Sequence, residues 1–230
     1  MSSRLEAELA AEGLRARLGL SGAYVDPFAA LSGLNVATLC YPLPRGSFDG
    51  AYQRREDEAF AIINTNADTT RQRFTAAHEI GHHVLWEPDD PQSSVDVDLD
   101  DPDPASAGRE QIIDTFAAAF LMPVALVRGV VGEESDGARA ILAVAAAFDV
   151  SKSAAARRVV ALDLVTSADA ETLQKDRRKM SVLLTANGIH AEPRPRRRGY
   201  VSVDSRHLKR VERLVGIGQV SNRRSLLDLT

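Results

Sequence analysis

The chain has 230 residues, of which 44% are hydrophobic and 26% charged, so it holds enough apolar material for one large domain with a core. No window approaches the run of about 18 apolar residues that a membrane span needs, and the single cysteine, Cys40, excludes an intrachain disulfide. The net charge of −4 divides unevenly: residues 1–170 carry 14 Lys/Arg against 26 Asp/Glu, whereas residues 171–230 carry 14 against 6, an acidic body with a basic tail.

Arg4 to Leu18 places Leu5, Leu9, Leu14 and Leu18 at helical spacing, with Gly19 and Gly22 as stop signals. Glu6, Glu8 and Glu12 interrupt any signal-like apolar run, and a cytoplasmic location is the expectation. Asp26-Pro27 opens a short helix, Phe28 to Ser32, which Gly33 closes. Asn35 to Tyr41 reads as a strand ended by Pro42, with Cys40 as core filler. Gly50 to Gln53 and Ala59 to Asn64 read as two more strands around a charged turn, Arg54 to Glu58. Thr69 to Trp86 is a helix capped by Asp68 or Thr69 and stopped before Pro88. An acidic loop covers Glu87 to Asp103. Helices follow at Arg109 to Leu121 and Val124 to Val131. Gly137 to Phe148 and Lys152 to Leu164 form a helix–turn–helix pair around Asp149-Val150-Ser151, with Ser151 as a cap. A further helix runs from Thr166 or Ser167 to about Ala186, before Asn187-Gly188. The whole predicts an α+β fold, a small sheet of about three strands against helices.

The chemistry concentrates in His78-Glu79-Ile80-Gly81-His82. Helical residues four apart share a face, so the two imidazoles point at one place, a pair of nitrogen donors suited to zinc. Glu79, one position round, is set to act as base toward a water acidified by the metal. Gly81 weakens the helix and is expected to make room for a strand or substrate. His83 points away from the ligand pair and reads as a surface or supporting residue. A third ligand is needed, and Glu110 and Asp114, one turn apart on a later helix, both qualify. One would bind the metal and the other orient a ligand histidine.

The stretch Ile62-Ile63-Asn64, then Arg71 to His83, resembles the ImmA/IrrE family of metallopeptidases, with its Arg-Phe-Thr-x-Ala-His-Glu-x-Gly-His block after a β-hairpin. A second block, Glu110 to Pro123, resembles that family's Glu-x-x-Ala-Asn-x-Phe-Ala run ending in Leu-Met-Pro. The resemblance covers about residues 26–164. It implies a zincin-like fold with a C-terminal helical extension, His78, His82 and Glu110 as metal ligands, Glu79 as the catalytic glutamate, and Zn2+ as the cofactor, with Mn2+ or Fe2+ compatible with the same donors. It further implies a regulatory endopeptidase cleaving a helix-turn-helix repressor to induce stress, phage or mobile-element genes. Two departures stand out: Ile113-Asp114 replaces the usual Ala-Asn, and Trp86 stands where many members have His or another residue.

The implied organisation is a metallopeptidase core over residues 1–132, a helix-turn-helix-like subdomain over 133–188 and a basic linker and extension over 189–230. The acidic loop reads as a solvated insertion near the site mouth. In the helix-turn-helix look-alike, Lys152, Arg157 and Arg158 accompany the bland Ala154, Ala155 and Ala156, which suits packing or substrate recognition better than base readout. Arg194, Arg196, Arg197 and Arg198 suit phosphate contact but read as linker. Tyr52, His83, Arg128 and His190 are the candidates for stabilising an oxyanion. The rival reading is a repressor- or DNA-binding module, or an antitoxin-like partner, with a non-proteolytic metal site. No membrane association is expected.

Overall fold

A computed structural model of the chain describes residues 3–43, 48–55, 58–85, 104–132, 136–168 and 170. The acidic loop, Trp86, His190, the arginine cluster and most of the helix expected after Thr166 lie outside the described residues. Within them are seven helices and one three-stranded sheet, an α+β arrangement. No single helix among them is long and apolar enough to cross a membrane.

Helix α1 (Arg4–Arg17) begins in a capping box, Ser3 and Glu6 each satisfying the other's backbone N–H. Its buried face differs from the expected leucine stripe. Leu5 and Leu9 are 68% and 58% exposed, and Ala7, Ala11, Leu14 and Arg15 point inward instead. The alanines let α1 lie close on a later helix, and Arg15 is buried because it hydrogen-bonds two carbonyls, those of Phe120 (2.8 Å) and Gly22 (2.6 Å). Helix α2 (Pro27–Gly33) starts at Asp26, whose carboxylate accepts from the Phe28 N–H at 3.0 Å. The left-handed residue that turns the chain after it is Asn35 (φ 59°), not Gly33.

Strands β1 (Val36–Tyr41), β2 (Gly50–Arg55) and β3 (Glu58–Asn64) lie in the order β1-β3-β2. β1 runs parallel to β3 with Val36 opposite Ala59, and β2 runs antiparallel with Tyr52 opposite Ala61. β2 reaches Arg55 and β3 begins at Glu58, both beyond the ends expected from the sequence. β3 is central and covered on both faces, which is why Ala59 to Ile63 reads as an unbroken apolar run. Ala59, Ala61 and Ile63 face the main core, and Phe60 and Ile62 join Ala37 and Leu39 on the other side.

Helix α3 (Thr69–Val84) packs on both β2 and β3, and α4 (Pro104–Leu121) packs on α3 and α1. α4 starts five residues before the expected Arg109, with proline at its first position, where the missing N–H costs nothing. Glu110 therefore sits in its second turn rather than at its N-terminus. After Pro123, α5 (Val124–Val131) leads to α6 (Gly137–Phe148), and Asp149 (φ 53°, ψ 51°) reverses the chain into α7 (Lys152–Ala161). Ser151 caps α7 through the Ala154 N–H at 3.1 Å. α7 stops at Ala161 rather than Leu164, with Asp163 left-handed beyond it.

One core runs from α1 through the inner sheet face and α3–α4 into α6 and α7, where Ile141, Leu142, Phe148 and Val159 are buried. Buried arginines tie its parts. Arg158 donates to Met122 O at 2.9 Å and forms a two-pronged pair with Glu8 at 2.6 and 3.2 Å. Arg73 on α3 donates to Phe148 O and Asp149 O and stacks over the Tyr24 ring. Glu8→Gln leaves the Arg158 guanidinium buried without its counter-charge. Its unfolding free energy, read from urea denaturation, should fall by about 3 kcal/mol.

Candidate metal centre

Helices α3 and α4 meet at Gly81. A Cβ there would lie 2.9 Å from Ile113 Cγ2 and 3.1 Å from Phe116 Cδ1, so the neighbour that glycine admits is α4, not a strand or substrate as the sequence led one to expect. This contact brings Glu110 and Asp114, one turn apart, against the two histidines of α3. His78 Nε2 is 2.9 Å from Glu110 Oε2, His82 Nε2 is 3.6 Å from Glu110 Oε1, and the two Nε2 atoms are 3.1 Å apart. On its other side, His78 Nδ1 meets Asp114 Oδ1 at 3.0 Å. Glu110 thus faces the histidine tips, and Asp114 holds the back of one ring.

These three groups fit a divalent cation. Ligands about 2.0–2.1 Å from a tetrahedral centre lie about 3.3 Å from one another, close to the separations seen here, and one donor atom from each residue falls within a 4.8 Å cluster. The electrostatics agree. Burial works against charge on His78, but hydrogen bonds to Asp114 and Glu110 outweigh it and lift its pKa to about 10. Burial, then the neighbouring His78 charge, pushes His82 down to about 4, a neutral donor. Burial opposes ionisation of Glu110 too, but His78 and His82 hold it below the usual carboxylate range. The surroundings favour one positive charge between these atoms.

Glu79 is only 3% exposed. Burial lifts its carboxyl to about 8, with the His78 charge pulling it down and Glu110 pushing it up. It lies beneath the first residue of β2. A Cβ on Gly50 would come within 2.5 Å of Glu79 Oε1 and would overlap Thr75 Cγ2. Gly50 carried no signal in the sequence beyond sitting at a strand start, because its neighbour is 29 residues away. Arg73 was likewise readable only as part of a motif block.

Of the oxyanion candidates, Tyr52 is buried on β2, with burial raising its phenol above the ordinary value. It shares a 2.8 Å hydrogen bond with His83 Nδ1. Arg128 is exposed on α5, which packs on α6.

The family model described as the IrrE N-terminal-like domain matches residues 37–160, from β1 to the end of α7, more than half of the chain and every residue of this centre. The chain belongs to the IrrE N-terminal-like family. The radiation response metalloprotease IrrE of Deinococcus deserti is 36% identical over 134 residues, 56% of this chain and 45% of that protein. Its counterpart in Deinococcus radiodurans is 34% identical over 147 residues, 59% of this chain and 42% of that protein. The chain spans less than half the length of these two curated relatives. A zincin-like α+β fold is what the IrrE-like family implies, and it is the fold observed.

Two substitutions probe the geometry. Gly50→Ala should displace Glu79 or the strand start and lower the thermal unfolding midpoint, with little change in zinc affinity measured by chelator competition. Asp114→Ala should instead weaken zinc binding about 10–100-fold, because the ring it holds is released.

Proposed function

We propose that the chain is a zinc-dependent endopeptidase of regulatory, narrow specificity. The observation that carries this reading is the convergence of His78, His82 and Glu110 beside a buried carboxylate, Glu79. His78, His82 and Glu110 would hold the cation, and zinc suits two imidazoles and a carboxylate, with manganese or iron compatible. A cation bound there supplies Lewis acidity, acidifying water and polarising a carbonyl. Glu79, whose basicity burial has raised toward neutral pH, takes the proton of the attacking water and delivers it to the departing amine. Asp114 keeps the His78 ring turned so that Nε2 faces the site.

The proposed substrate is a helix-turn-helix repressor, with stress-gene induction as the outcome. The naming of the two relatives as radiation response metalloproteases supports that role. A repressor substrate sets the reaction in the cytoplasm. A second reading, a docking module for a repressor or DNA, draws on α7, where Lys152, Ser153 and Arg157 are exposed above a packed inner face of Ala155, Ala156, Arg158 and Val159.

Glu79→Gln separates the two. Repressor cleavage, followed on gels with proteins from the same genome, should fall about 10³-fold while zinc content stays at one ion per chain. Cleavage at the wild-type rate by that variant would defeat the peptidase reading, and repressor binding without any cleavage by the wild type would favour the module. Chelation of the wild type should abolish cleavage, and added zinc should restore it.

A further inference from the structure

The two candidate ligand histidines are oriented by different means. His78 is held through its back nitrogen by the Asp114 carboxylate at 3.0 Å. Among the described residues His82 has no such partner at Nδ1. Its ring lies instead against Tyr52: the two planes are within 6° of parallel, with centroids 6.2 Å apart. A parallel ring set beside an imidazole in an offset stack narrows its rotation about the Cβ–Cγ bond, because turning drives the ring edge toward the neighbour.

Tyr52 is itself held by its backbone, by His83 and by a side-chain hydrogen bond with Arg54. Its backbone is paired with Ala61 in the sheet. Its hydroxyl meets His83 Nδ1 at 2.8 Å, and its ring stands edge-on to the His83 ring at 5.8 Å. His83 follows His82 directly on α3, so its side chain leaves the helix about a quarter turn round, toward β2. Tyrosine is the residue that offers both a flat face for His82 and a hydroxyl for His83.

We infer that Tyr52 and His83 form a positioning pair that locks the ring of His82 for metal binding and references it to the sheet. The inference rests on the metal-centre reading above. Neither residue touches the reacting atoms in this role; both act through His82. The arrangement does for His82 what a carboxylate does for His78, by stacking rather than by hydrogen bonding.

The test measures zinc affinity by competition with a chromophoric chelator, and the d–d absorption of the cobalt-loaded protein, in the full chain. Tyr52→Leu removes ring and anchor and should weaken zinc binding ten-fold or more, with a shifted cobalt spectrum. Tyr52→Phe keeps the ring but removes the hydroxyl's contacts to His83 and Arg54, and His83→Ala removes the first of these; each should lose a few-fold, Tyr52→Phe the more. His83→Asn, which sets an amide atom near the Nδ1 position, should restore most of that loss. Thermal unfolding of the metal-stripped proteins separates packing from positioning. Variants that lose stability yet bind zinc like the wild type, with an unchanged cobalt spectrum, would overturn the inference. Should Tyr52→Leu fail to fold, Tyr52→Phe and His83→Ala decide the matter by the same criteria. His82→Ala is the control for the centre itself: wild-type protein binding zinc no better than that variant would overturn the metal-centre reading and this inference together.

Discussion

The close approach of α3 and α4 at Gly81 is the constraint on which the candidate centre depends. Two imidazoles on one helix supply only half a binding site. The carboxylate that completes it stands on another helix, joined through residues 86–103, so local sequence cannot place it. Packed interiors do not yield by an ångström without cost, and metal–ligand distances tolerate only about 0.2 Å. With a side chain at position 81, Ile113 and Phe116 would be pushed outward, and Glu110 with them. The glycine weakens its own helix so that the interhelical distance can match the reach of Glu110 to the histidines.

Three buried or nearly buried arginines then hold the frame. The last carbonyls of a helix lack partners within it and carry partial negative charge. Arg15 and Arg158 take the carbonyls of Phe120 and Met122 at the end of α4, and Arg73 takes those of Phe148 and Asp149 at the end of α6. These helix ends therefore lie inside the protein, satisfied by charged donors. Glu8 and the Tyr24 ring meet the guanidinium groups of Arg158 and Arg73.

Where chemistry was local, the sequence was readable. The His78–His82 spacing, the helix start at Asp26-Pro27, the cap at Ser151 and the alternation of strands with turns all act within a few residues, and the structure shows those elements, whereas Asp68 stands at the N-cap of α3 without a side-chain bond. The α1 face was misread because hydrophobicity ranks leucine above alanine, while the tight packing on α4 selects small side chains. The purpose of Gly81 and the significance of Gly50 were hidden because each depends on a neighbour from a different part of the chain. The residues by themselves did not separate Glu110 from Asp114; the family resemblance pointed to Glu110 as the ligand. Both share a face of α4, and only the rotation of the His78 ring tells which faces the tip and which the back.

Arg73 lies five residues before His78 on the same rigid helix and grips the turn between α6 and α7. No hinge intervenes between that turn and the histidines. The α6–α7 turn is thereby referenced to the very helix that carries the imidazoles, so a displacement at one end of this lever is transmitted to the other without slack.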